Sequence, residues 1–355
     1  RLRPTTMNRE REPMMTRAQQ TSTAWSSTGG ALGISLIAII CATGGCAGPK
    51  KQVHYNQGEY QQVVERQKAG QALSAEDASR MDKDLSPQEL QRLGDLYLQQ
   101  GNPALAIVQY QNAVEADPSL FRIHYKIGQM FLKKGLPQDA LQHFQEALAH
   151  DDRDTLTLEG LGEANFRMGK DEDAESAFRK AIALMPDRWQ TRNFLGMVLD
   201  RKKRHQDAIA EYERGLALHP GEALLLNNIG LAYYFLGRYD EAIGSFHQAL
   251  LTGSGHAKIH NNLGLAYAKL NRYHDALESF RQSSSEEEAY NNLGVAYLSS
   301  RKPETAAVCF KKALDLSPRF YEKANDNLLL AKRTLEKSKR MTPDATVVES
   351  SSCPS

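Results

Sequence analysis

Between residues 87 and 320 the chain carries one amphipathic pattern that returns at a fixed interval. In one stretch Leu263, Gly264 and Tyr267 fall at helical spacing and share a face. In the next, Ala276, Phe280 and Ser283 do the same. The interval is read from a glycine column: Gly94, Gly128, Gly162, Gly196, Gly230, Gly264 and Gly294, with five steps of 34 residues and a last step of 30. An alanine column keeps the same steps, at Ala106, Ala140, Ala174, Ala208, Ala242, Ala276 and Ala306. Four residues after each alanine stands an aromatic: Tyr110, Phe144, Phe178, Tyr212, Phe246, Phe280 and Phe310. A small residue follows three positions later, at Ala113, Ala147, Ala181, Gly215, Ala249, Ser283 and Ala313.

These columns predict two antiparallel helices per copy. Glycine and alanine allow close approach of the helix axes, and the aromatic fills the space beside the crossing. A glycine inside a helix costs about 1 kcal/mol relative to alanine, so seven in register must be offset by packing. Pro118, Pro186, Pro220 and Pro318 close four of the copies.

The pattern resembles the tetratricopeptide repeat, with its Leu-Gly-x-x-Tyr, Ala-x-x-x-Phe and closing proline, over seven copies spanning residues 87–320. Asn165 and Leu199 depart from it at the first-helix aromatic, and Asp152 and Ser254 at the closing proline. The sixth copy is four residues short. The resemblance implies an all-α fold: a right-handed α-solenoid of helix–turn–helix units with a C-terminal capping helix, about sixteen helices with both caps. It also implies that the first helices line a concave groove.

The flanks read differently. Met7, Met14 and Met15 are candidate starts, and residues 1–45 hold upstream residues and a signal peptide, with an apolar run from Ala31 to Gly45. That run is short of the about 20 residues of a membrane span. Gly44-Gly45 before Cys46 resembles the lipobox of bacterial lipoproteins, although Thr43 departs from it, and this makes Cys46 the expected lipidation site. A plain cleaved signal or a short anchor is the other reading. Residues 46–56 form a polar tether and 57–86 a degenerate helical N-terminal cap. Ser86, Pro87 and Glu89 predict a sharp, boxed start to the first helix. Residues 321–340 are expected as the capping helix, with Leu328, Leu329 and Ala331 toward the seventh copy, and 341–355 as a disordered tail.

Composition narrows the function. The 355 residues hold 44 basic and 43 acidic side chains, a balance that argues against a nucleic-acid partner. The repeats occupy most of the chain and leave no room for a second large domain, so no enzyme activity and no cofactor is expected. His256 and His260 lie four apart but lack a third ligand, so no metal site is expected. Gly253–Lys258 has glycines without Walker spacing and reads as a turn between repeats. Cys309 is expected as packing inside a repeat helix and Cys353 as part of the tail; the two do not read as a disulfide framework.

One polar feature repeats in register. Asn227-Asn228, Asn261-Asn262 and Asn291-Asn292 hold the same two positions in copies five to seven, with Asn325-Asp326 nearly continuing them. Tyr125, Lys126, Asn193 and Phe194 take those positions in copies two and four. An amide offers both donor and acceptor, so such a column suits the backbone of an extended peptide partner. The same asparagines are also ordinary in this family without any ligand. The expected function is a non-enzymatic protein–protein interaction scaffold in the bacterial cell envelope. It resembles lipid-anchored outer-membrane repeat proteins that assist pilus or secretion-complex assembly, such as the Tad/Flp pilus type. The alternative is an accessory subunit presenting peptide substrates to a catalytic partner.

Overall fold

The computed structural model describes residues 85–252, 256–317, 321–341 and 352–354. These residues contain fifteen α-helices, a short 3-10 turn at Pro118–Leu120 and no strand. Seven helix pairs follow one another. Their first helices are α1 (Pro87–Gln99), α3 (Arg122–Lys133), α5 (Thr155–Arg167), α7 (Trp189–Arg201), α9 (Ala223–Phe235), α11 (His256–Lys269) and α13 (Glu286–Ser299). Their second helices are α2 (Pro103–Ala116), α4 (Pro137–His150), α6 (Asp171–Leu184), α8 (His205–Leu218), α10 (Tyr239–Leu250), α12 (Tyr273–Ser283) and α14 (Pro303–Leu316). A single helix, α15 (Glu322–Met341), packs on α14. The expected all-α solenoid with a C-terminal cap is therefore present. The expected N-terminal cap falls, up to residue 84, outside the described residues, as do the apolar run 31–45 and Cys46.

Each helix packs on its partner and then on the next pair. From α3 onward every first helix also touches the next first helix, and α13 touches α15, so these helices form one continuous row. Contacts of this kind, between neighbouring helices and neighbouring copies, are those of other solenoids.

The three packing columns act as one device. All seven alanines of the alanine column are fully buried, and the aromatics beside them are buried to the same degree. Each column glycine lies directly against the ring of its own copy: a Cβ added at Gly230 would stand 2.5 Å from Phe246 Cε1. Contacts under 3.0 Å recur for the other six. The ring takes the volume a side chain would occupy, and this burial offsets the poor helix propensity of glycine.

The first helix opens as expected. Ser86 Oγ accepts from the Glu89 amide at 3.3 Å, and Glu89 Oε2 accepts from the Ser86 amide at 2.8 Å, with Pro87 in the first turn. Between the two helices of each pair one residue takes a left-handed conformation. Gly101, Gly135, Gly169 and Gly237 do so with φ of 74° to 77°; Lys203, Asn271 and Arg301 do so with φ of 58° to 61°. Glycine adopts this conformation without strain, whereas a lysine or arginine does so at a cost.

The short sixth copy loses its residues from the second helix and the turn after it. Helix α12 has 11 residues, against 14 in α14. The early stop is capped by hydroxyls: Ser283 Oγ and Ser284 Oγ both donate to the Phe280 carbonyl, at 2.7 and 3.1 Å. Arg281 then bridges the shortened turn to Glu286 at 2.8 Å.

The cysteine reading is corrected. Cys309, fully buried on α14, is disulfide-bonded to Cys353, with Cα atoms 5.3 Å apart and a sequence separation of 44. Cys353 also packs against the C-terminal core cluster. Two cysteines this far apart in sequence gave no sign of proximity; the return of the chain end to α14 creates it.

Candidate functional site

The asparagine positions lie on the row of first helices, and that row brings them together. Asn228 Nδ2 donates to Asn193 Oδ1 at 2.8 Å, and Asn227 Nδ2 donates to Asn228 Oδ1 at 3.4 Å. Asn262 Nδ2 donates to Asn227 Oδ1 at 2.9 Å. These four amides form one unbroken chain across α7, α9 and α11. Asn292 Nδ2 reaches Asn261 Oδ1 at 3.5 Å, joining α11 to α13, and Asn327 Nδ2 reaches Asn291 Oδ1 at 2.9 Å, joining α13 to α15.

The amides thus tie the first helices together from α7 to α13, and α13 to α15. The sequence offsets of these links are 35, 35, 31 and 36. In the first three the second asparagine of one copy donates to the first asparagine of the copy before. Two members escaped sequence reading. Asn193 stood out only as a break in the paired pattern, because Phe194 beside it stacks on Phe178 with ring centroids 5.4 Å apart. Asn327 lies one position beyond Asp326, outside the expected register. The recurrence of a first-position asparagine one copy before each second-position asparagine was the signal available for Asn193.

The same column changes chemistry toward the N-terminus. In the third copy its occupant is Glu159, which accepts from Arg188 Nε and Nη2 at 2.5 and 2.8 Å and from the Thr191 hydroxyl of the next copy. In the second it is Tyr125. Lys126, next to it, pairs with Asp95 on α1 at 2.5 Å. An acid-centred junction at copies three and four therefore gives way to uncharged amide junctions from copy four onward.

Part of the amide capacity remains unused. Among the described residues, Asn261 Nδ2 donates to no acceptor, and the Oδ1 atoms of Asn262 and Asn292 accept from no donor. These three residues line a recess of about 400 Å³ with Asn227, Leu231, Ala257, Lys258, Ser283 and Ser284. One helical turn beyond the first-position asparagines runs an apolar column, Met197, Leu231, Leu265 and Val295. The first three are half-buried and Val295 is exposed. Asn291 differs from the others: its side chain is fully enclosed, and its Nδ2 has no acceptor.

Other polar clusters are structural in their geometry. His124 Nδ1 and His143 Nδ1 stand 3.0 Å apart, with the His143 ring stacked on Phe131. Burial, reinforced by the neighbouring His124, pushes the His143 imidazole down to about 4. Asp200 accepts from Tyr212 Oη at 2.8 Å and faces His205 Nδ1 at 2.9 Å; burial raises its carboxyl despite both partners. His256 and His260 open α11. Among the described residues no group of three or more His, Cys, Asp and Glu is placed to hold a metal ion, and no helix is long and apolar enough to cross a membrane.

The family model described as Cilia and flagella-associated protein 70 C-terminal domain matches residues 18–289. The tetratricopeptide-repeat model matches residues 287–320. Among solved structures, a tetratricopeptide repeat protein from Parabacteroides merdae is 18% identical with a TM-score of 0.55, over 69% of this chain and 98% of that one. The crystal structure of MamA is 32% identical with a TM-score of 0.43, over 46% of this chain and 96% of MamA. PilF from Pseudomonas aeruginosa is 24% identical with a TM-score of 0.49, over 61% of this chain and 96% of PilF. No curated protein matches the chain at a significant level.

Proposed function

The chain belongs to the tetratricopeptide-repeat family described as Cilia and flagella-associated protein 70 C-terminal domain, and from that premise we propose a lipid-anchored, non-enzymatic envelope scaffold that holds an extended segment of a protein partner along its first helices. A protein-interaction scaffold is the function of this repeat fold. The observation that carries the finer reading is the coincidence, on one row of helices, of unused amide groups and an incompletely buried apolar column. The free Asn261 amide hydrogens and the Asn262 and Asn292 oxygens match the acceptors and donors of a peptide backbone. Leu231, Leu265 and Val295 offer burial to every few side chains of that peptide. The amides already engaged in the ladder hold this surface in register.

The envelope location is supported by the signal-like run ending at Gly44-Gly45-Cys46 and by the Cys309–Cys353 disulfide, a bond that persists in oxidising compartments. Lipid on Cys46 supplies the anchor, since acyl chains contribute about 0.8 kcal/mol per buried CH₂ and several chains give stable attachment. Assembly of a pilus or secretion complex is the service this arrangement suits.

The test is photo-crosslinking in intact membranes from positions 231, 265 and 295, with positions on the outer helices as controls. One partner captured from the first-helix sites and absent from the controls supports the scaffold reading. Equal capture from both faces rejects the first helices as the docking surface. Cys46→Ser is expected to release the protein or stall its processing, and unchanged size and fractionation count against the anchor.

A further inference from the structure

The bond between Cys309 and Cys353 has two unlike ends. Cys309 is fully enclosed on α14, among the residues that pack the last repeat against α15. Cys353 is half-buried, with Ser352 exposed on one side and Pro354 half-buried on the other. It comes from beyond the end of α15 and returns to the helix before it, so one covalent bond closes the C-terminal end of the array.

We propose that this disulfide is a redox latch: oxidised, it fastens the chain end to α14 and holds the last repeat and its cap together; opened by a dithiol, it releases that end while the repeat core persists. Exchange begins when a thiolate attacks a disulfide sulfur it can reach. Access favours Cys353 Sγ, because Cys309 Sγ is enclosed. The first thiolate of the dithiol bonds to Cys353 Sγ, the S–S bond breaks, and the electron pair goes to Cys309, which takes up a proton. The second thiolate of the dithiol then attacks its own bound sulfur and expels Cys353 as a thiol. The balance is one protein disulfide plus one dithiol giving two protein thiols plus the oxidised, cyclic reductant.

The asymmetry decides what each state looks like. A protonated Cys309 is a small apolar side chain in an apolar site and keeps its packing. Enclosed on α14, it is out of reach of added reagents and reacts poorly. Cys353 keeps only partial burial once the bond is gone. Reduction therefore separates the chain end from the fold without emptying the core.

The test uses the full chain. Peptide mapping of protein produced in an oxidising compartment is expected to show a linked peptide containing Cys309 and Cys353. Millimolar dithiothreitol, without denaturant, is expected to abolish it. Iodoacetamide added to the reduced, native protein is expected to label Cys353 and spare Cys309. Hydrogen exchange in α14 and α15, and protease cleavage after Arg340, are expected to speed up by about tenfold on reduction, while exchange in α3–α10 stays the same. Cys353→Ser should match the reduced wild-type chain. If that variant does not fold, the reduced chain alkylated at Cys353 supplies the same comparison. Absence of the linked peptide, reduction only in denaturant, or equal exchange in the two redox states would each overturn the latch.

Discussion

Two glycines in mid-helix, Gly230 on α9 and Gly244 on α10, allow the packing column to be tested by one chemical change made twice. Replacing either by alanine removes the same backbone penalty, a gain of about 1 kcal/mol. At Gly244 the new methyl meets nothing within 4 Å, so that gain stands alone. At Gly230 it meets Phe246 at 2.5 Å (Cε1), 2.7 Å (Cδ1) and 2.9 Å (Cζ), and the ring is fully buried. Overpacking of this kind costs roughly 1–3 kcal/mol. Gly244→Ala should therefore stabilise by about 1 kcal/mol, while Gly230→Ala falls between neutral and roughly 2 kcal/mol destabilising. The propensity gain is common to both, so the difference between the variants isolates the ring contact. Urea unfolding followed by circular dichroism gives the total. Hydrogen exchange in α9 and α10 gives the local effect, which matters because long repeat arrays need not unfold in one step. Adding Phe246→Leu to Gly230→Ala should recover a coupling of about 0.5–3 kcal/mol by freeing the space. Equal shifts for the two alanine variants would mean that the ring does not exclude a side chain at Gly230.

Three further outcomes follow from the same geometry. Asn228→Ala removes a donor bond to Asn193 and an acceptor bond from Asn227, at about 1 kcal/mol each, and should speed exchange in α7 and α9 more than Asn292→Ala, whose one bond is 3.5 Å long, does in α11 and α13. The His143 imidazole is held down to about 4 against an ordinary 6.5. Stability should thus be complete above the unfolded value and fall as pH drops from 6.5 toward 4, by up to about 1.4 kcal/mol per pH unit, because only the unfolded chain takes up the proton; His143→Phe should flatten that slope in acid unfolding curves. Lys203→Gly relieves a left-handed lysine at φ 61° and should raise the urea midpoint, whereas Gly237→Lys at the equivalent turn should lower it.

The fold was legible because its information is local and repeated. The glycine, alanine and aromatic columns each report one contact, and every copy states the same three. The strained turn positions were harder to read, since lysine, asparagine and arginine at 203, 271 and 301 hide a conformation that glycine shows openly at 101, 135, 169 and 237. For the asparagines, sequence gave the row and the register but not the partner. An amide at a repeat position has the same pattern whether it faces a ligand or the next helix. What separates the two is an offset of 35 rather than 34 between donor and acceptor, one residue beyond the repeat. The disulfide left no periodic trace at all, since its second cysteine lies outside the repeats.

The short sixth copy explains why the ladder survives an irregular repeat. Four residues lost from a first helix would rotate every later position on it by about 40° away from the row, at 3.6 residues per turn. Loss from α12 and its following turn leaves α11 and α13 intact as helices of 14 residues each. The offset across the junction falls to 31, yet Asn292 still faces Asn261. The shorter path is bridged at the end of the second helix, where Ser283 and Ser284 cap the truncated α12 and Arg281 spans to Glu286. The ladder link at this junction, at 3.5 Å, is its longest. The deletion thus brings Ser283 and Ser284 to the recess lined by Asn261 and Asn292 while leaving the row of first helices continuous.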